Sequence, residues 1–137
     1  FALFYESSFN GIRVIHIPLR KYKSTALRLG GFLYWHLIAL IIGLSLKRIQ
    51  YILSPSPPLT IGLINLIIGF FSRAKTIYNV QEIYPDFIIN QGQLKSKFVI
   101  GFLQKLEKFV YNKSDAAVTI DSVFYSKIKN SRYFNCI

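Results

Sequence analysis

Short runs rich in β-branched residues alternate along this chain with longer apolar stretches, and that alternation constrains the fold more than any other feature. Residues 12–19 (IRVIHIPL), 50–54, 75–80 and 116–120 read as strands. Between them lie helical segments at 25–48, 59–72, 95–112 and 122–130. Strands separated by helices predict βα units, and hence an α/β domain with a parallel sheet of about four or five strands flanked by helices. Punctuation supports the boundaries. Arg20 to Lys23 form a basic turn, after which Ser24 or Thr25 can cap a helix. Pro55-Ser56-Pro57-Pro58 stops the second strand, because proline donates nothing to a sheet ladder. In the segment 95–112, Val99, Phe102, Leu103, Leu106, Phe109 and Val110 are expected on one buried face, with Lys97, Gln104, Lys105 and Lys108 off it. Asp121-Ser122 can cap a last helix, and 134–137 reads as the start of a further strand.

The 137 residues are enough for one domain with a sizeable core, and no internal repeat divides them. The chain starts at Phe1 and contains no Met, so it is read as a piece of a longer protein. A net charge of +11 points to an anionic partner surface: lipid headgroups, nucleic acid or phosphorylated substrates. The basic residues are dispersed and no nucleic-acid motif accompanies them, which argues against nucleic acid. One cysteine, Cys136, gives no disulfide framework. No His or Cys spacing suits zinc, so neither a metal nor a cofactor is expected.

A membrane span is the main rival to a buried helix. Residues 30–46 (GGFLYWHLIALIIGLSL) carry no formal charge and lie between Arg28 and Lys47-Arg48. A spanning helix needs ~20 apolar residues, with ~17 the lower limit. His36, Ser45 and three glycines within the run favour a buried helix packed on more than one side. His36 and His16 are both read as satisfied structural histidines.

The most informative segment is Asn79-Val80-Gln81-Glu82-Ile83-Tyr84-Pro85-Asp86. It follows the apolar strand 76–80 and places a carboxylate where that strand ends. Ligands of open α/β sheets bind in the crevice outside the carboxyl ends of the strands. Taken in order, Ser54-Pro55-Ser56-Pro57-Pro58-Leu59, Val80 to Asp86, Gly92, Leu106-Glu107, Tyr111 and Ser114-Asp115-Ala116 resemble the N-terminal half of a bacterial family 4 glycosyltransferase. The resemblance spans residues 11–128 and is nearest to the exopolysaccharide, colanic-acid and O-antigen group.

That resemblance implies a GT-B architecture of two Rossmann-like domains facing across a cleft. This chain would be an incomplete, three-layer, Rossmann-like N-terminal domain over 1–137. A first strand with its glycine-rich loop would precede Phe1, and the donor domain with its paired glutamates would follow. The implied function is acceptor binding in a retaining glycosyltransferase, with a sugar passing from a nucleotide-sugar donor to a lipid-linked glycan in cell-surface polysaccharide synthesis. The donor would be held by the missing domain, so the chain alone is expected to be inactive.

Within that frame Glu82 is the candidate catalytic residue. Glycosyl transfer develops positive charge at the anomeric carbon while the acceptor hydroxyl loses a proton, and a carboxylate serves either need. Its alternative is to cap the turn at Pro85. Gln81 suits sugar hydroxyls or loop backbone. Tyr84 suits stacking on a sugar ring or packing under the loop. Asp86, just after Pro85, suits the substrate or the positive end of a helix dipole. Ser54 and Ser56 either line the same crevice or cap the next helix. Glu107 is read as a structural hydrogen-bonding residue. Arg20, Lys21, Lys23 and Arg28 form a basic cluster suited to an anionic membrane surface, or to a solvated loop. The expected location is cytoplasmic, peripheral at the inner face of the plasma membrane. The alternatives are a small integral membrane protein with one or two spans, and a basic nucleic-acid-binding module.

Overall fold

The computed structural model describes residues 3–20, 22–83 and 96–130. Their contacts group into two units, Phe1–Leu46 and Lys47–Ile137.

In the first unit, β1 (Tyr5–Phe9) and β2 (Ile12–His16) pair antiparallel, with Tyr5 opposite His16 and Phe9 opposite Ile12. Asn10 and Gly11 alone connect them, with φ of 47° and 79°. Two successive positive φ values are what a type I′ turn requires, and Asn-Gly is the pair that adopts them most readily. Residues 12–19 therefore do not enter a parallel sheet as the sequence suggested: they form half of a hairpin that ends at His16, two residues before Pro18. The Tyr5 ring stacks on His16 with centroids 4.5 Å apart, and His16 Nε2 shares a 2.7 Å hydrogen bond with the Ser7 hydroxyl. His16 is thus satisfied, on a hairpin surface rather than in a core.

Helix α1 (Thr25–Ser45) follows the basic turn. Ser24 occupies its N-cap position but makes no side-chain cap bond, contrary to expectation. The Arg28 Nε instead donates to the Tyr22 carbonyl at 2.8 Å and ties the turn to the first helical turn. His36 Nδ1 is bonded to the Phe32 carbonyl at 2.8 Å. Only Ile38 and Gly43 are buried, while Leu29, Leu33, Leu37, Ile41 and Leu44 are exposed. The expectation of a helix covered on more than one side is not met, since 11 % of its apolar window is buried.

The second unit is a mixed α/β domain with a three-stranded parallel sheet flanked by helices. Strands β3 (Tyr51–Pro55), β4 (Lys75–Val80) and β5 (Ala116–Thr119) lie in that order, with β4 central. Tyr51 pairs with Lys75, and Ile77 with Ala116. Helix α2 (Leu59–Ser72) connects β3 to β4, and α3 (Lys97–Lys113) precedes β5. Leu59, Tyr78, Val80, Val110, Tyr111 and Ile128 form the core. Gly62 lets α2 approach closely: a Cβ there would stand 2.5 Å from Val110 Cγ1 and 3.0 Å from Tyr78 Cε2. Alternate residues of the sheet, Tyr51 and Leu53 of β3 and Val118 of β5, point away from this core and are exposed. Helix α4 (Ser122–Asn130) is capped as the sequence suggested, with the Asp121 carboxylate accepting the Phe124 N–H at 2.8 Å.

Helix α3 departs from its expected facing. Glu107, Val110 and Tyr111 are its buried residues, whereas Phe102 and Phe109 are exposed. Its apolar residues occupy two opposite sides of the helix, and Leu106, Val110 and Tyr111 suffice to form its contact with the core.

Candidate functional site

The carboxyl ends of β3 and β4 define the site. Pro55 ends β3, but the next residue extends the pairing: the Ser56 N–H donates to the Asn79 carbonyl at 2.8 Å. Ser56 is 1 % exposed, and its hydroxyl reaches across to the loop that leaves β4. Its Oγ accepts the N–H of Gln81 at 3.0 Å and of Glu82 at 3.3 Å, and donates to the Glu82 carbonyl at 3.3 Å. One buried hydroxyl thereby fixes the first two residues past the central strand.

Of the two roles read for Ser56, the structure rules out the helix cap: the N-cap residue of α2 is Pro58, which carries no side-chain cap bond. The contribution of Ser56 is to shape the loop that carries Glu82. Ser54 lies one turn of the pleat earlier, is also buried, and its Oγ has no hydrogen-bond partner among the described residues.

Glu82 is half-buried, with its backbone held as above. Its Oε2 is buried and has no partner among the described residues. A buried carboxylate oxygen without a donor is costly, so such an atom is normally matched by one. A ligand hydroxyl is one group that fits. Gln81 is exposed beside it and offers both a donor and an acceptor. The structure therefore joins Ser56, Gln81 and Glu82 at the carboxyl ends of β3 and β4, with Ser54 two residues earlier in β3. Tyr84 and Asp86 lie outside the described residues. Arg20, Lys23 and Arg28 belong to the first unit and are exposed around the start of α1, and Lys21 lies outside the described residues. Glu107 accepts a hydrogen bond from the Tyr111 hydroxyl at 3.0 Å inside the core, in keeping with its structural reading.

At the opposite end of the sheet lies a second clamp that sequence reasoning missed. Asp115 Oδ2 accepts the Thr76 N–H at 2.8 Å and the Thr76 hydroxyl at 3.1 Å, while the Asp115 N–H donates to the Thr76 carbonyl at 2.9 Å. Its Oδ1 is 2.7 Å from Lys75 Nζ. The Lys75 hydrogen bond and then the Thr76 N–H hold the Asp115 carboxyl below its ordinary value, and Asp115 in turn raises Lys75. The available signal was the Ser114-Asp115-Ala116 triplet between a helix and a strand. Ser114 Oγ donates to the Val110 carbonyl at 2.8 Å to finish α3, and Asp115 then starts β5 beside β4.

No family model matches the chain, and neither do any curated proteins or solved structures.

Proposed function

We propose that this chain is the acceptor-binding half of a retaining glycosyltransferase of GT-B type, in which it forms part of a Rossmann-like N-terminal domain. The reading is supported by the ordered motifs of the sequence. It is carried by one observation: a carboxylate with a buried oxygen unpartnered among the described residues, on a loop fixed at the carboxyl end of the central parallel strand. In the proposed reaction an acceptor hydroxyl oxygen forms the new bond to the anomeric carbon, and the bond from that carbon to the nucleoside diphosphate breaks. The hydroxyl proton leaves toward Glu82 or the departing phosphate, and the carboxylate offsets positive charge at the sugar. Gln81, Tyr84, Asp86 and Ser54 bind acceptor hydroxyls. The donor nucleotide sugar is held by a second domain.

The acceptor is a lipid-linked glycan, which places the protein peripherally at the cytoplasmic face of the plasma membrane, with Arg20, Lys21, Lys23 and Arg28 toward anionic headgroups. The test is sugar transfer by the parent protein that carries this segment. A labelled nucleotide sugar and a polyprenyl-diphosphate-linked acceptor should give labelled lipid-linked product. Absence of transfer with every hexose donor tried would argue against the reading.

A second reading has its own support. Helix α1 is 21 residues long with mean hydropathy 1.7 over its apolar window, and is mostly exposed. At ~1.5 Å per residue it matches a ~30 Å hydrocarbon core. As an integral protein the chain would resist carbonate extraction of membranes, whereas a peripheral protein is released.

A further inference from the structure

Helix α3 presents to solvent a face as apolar as the one it buries. Phe98, Phe102 and Phe109 are 85 %, 59 % and 48 % exposed. At 100° per residue they fall on the side opposite Glu107, Val110 and Tyr111. Lys105 lies among them, and Lys97, Lys108 and Lys113 flank them, all exposed. The only acid of the helix, Glu107, is turned inward onto Tyr111, so the outward face carries no negative charge. At the base of α3 the surface continues onto α2, where Phe70 and Phe71 are 79 % and 69 % exposed. Those two rings, Phe109, Leu66 and Lys113 line a mainly apolar cleft of about 550 Å³ between the helices, whose acid, Asp115, is already paired with Lys75.

Exposed aromatics interleaved with lysines, with the acid of the cleft neutralised by Lys75, complement a surface that is apolar below and anionic above. We propose that the outward face of α3, together with the Phe70–Phe71 end of α2, seats on an anionic lipid bilayer. The phenylalanines enter the boundary between headgroups and acyl chains, the lysines meet lipid phosphates, and the cleft receives an acyl-chain segment. An acidic protein groove fits less well, because it must match each lysine at a fixed position. Lipid headgroups move laterally to find them. The proposal rests on the reading of this protein as membrane-peripheral, and adds to it a contact surface on the second unit, separate from the basic cluster of the first.

The test uses the full protein carrying this segment, with its other cysteines replaced by serine and one cysteine introduced for an environment-sensitive fluorophore. Phe102→Cys places the probe on the proposed face, and Val123→Cys places it on α4, where Val123 is exposed. On adding vesicles of phosphatidylcholine mixed with phosphatidylglycerol, emission from position 102 should shift to the blue and intensify, and emission from position 123 should not. Vesicles of phosphatidylcholine alone should give neither change. Lys97→Gln and Lys105→Gln should each weaken partitioning about fivefold, the equivalent of ~1 kcal/mol per charge near headgroups. If the protein co-floats with the mixed vesicles while the probe at 102 stays in water, this surface is wrong and the peripheral reading stands. A probe at 102 already blue-shifted without lipid means that protein covers the face, and overturns the proposal. If no vesicles are bound at all, the proposal and the peripheral reading fall together.

Discussion

The Ser56 hydroxyl holds Glu82 by both its N–H and its carbonyl, each at 3.3 Å, across the gap between two adjacent strand ends. Since Ser56 belongs to the loop after β3 and Glu82 to the loop after β4, these bonds tie the two loops together at the carboxyl ends of the strands.

Removing that hydroxyl should be felt in stability and at the site. Ser56→Ala leaves the N–H groups of Gln81 and Glu82 without their acceptor, and a buried donor left unsatisfied costs about 1–3 kcal/mol. Partial access of water to the loop places the expected loss near the lower end. Denaturant midpoints should report it. Ser56→Thr keeps the hydroxyl but adds a methyl group at a position 1 % exposed, so it should restore the loss incompletely.

How much of this was legible in the sequence varies with how local the cause is. Helix α2 and strand β4 begin and end where their residues predict, because Pro55 to Pro58 punctuate the start of α2 and Lys75 to Val80 form a compact β-like run. The position of Glu82 at a strand end follows from the same local pattern. The hairpin was also written locally, in Asn10-Gly11, but the β-branched run after it reads equally well as a parallel strand. Other features are not local. Ser56 meets Glu82 over a separation of 26 residues and Asp115 meets Thr76 over 39, so neither residue type reveals its partner. Nor does periodicity say which apolar side of α3 faces the core, because both sides carry suitable residues.

The clamp at the other end of the sheet should make stability depend on acid. Asp115 has its carboxyl held below the ordinary 3.8, chiefly by Lys75. A depressed carboxylate contributes stability that is complete above the ordinary value and is lost as pH falls through the lower folded value. Midpoints should therefore decline on acidification below about pH 4. Asp115→Asn should flatten that decline and cost about 1 kcal/mol at neutral pH, through weaker bonds to the Thr76 N–H and hydroxyl. Lys75 has the mirror sign: its contribution is present below 10.5 and fades as pH rises through its raised folded value. An Asn variant with the same acid slope as the parent would remove Asp115 from this role.

Gly62 tests the close approach of α2 to the core. Alanine is worth about 1 kcal/mol more than glycine in a helix interior, so an uncrowded site would gain stability. Here the added methyl meets Val110 and Tyr78, and overpacking of this kind costs about 1–3 kcal/mol. Gly62→Ala should be destabilising on balance. Gly101→Ala, with nothing within 4 Å of the added carbon, should be neutral or stabilising. Thermal melts of the two variants side by side decide the matter, and equal gains in both would mean that α2 does not pack as described.

The central claim is that Glu82 acts on the sugar being transferred, and turnover of a Glu82→Gln variant of the parent protein tests it most directly. Gln keeps the size and the backbone bonds to Ser56 but loses the charge and the ability to accept a proton. A group that works in the transition state should lower kcat by about 10²–10⁴-fold, leaving KM for the acceptor little changed and the melting temperature near that of the parent. Turnover close to the parent value, with or without a shift in melting temperature, would contradict the account and leave Glu82 a structural residue of the loop.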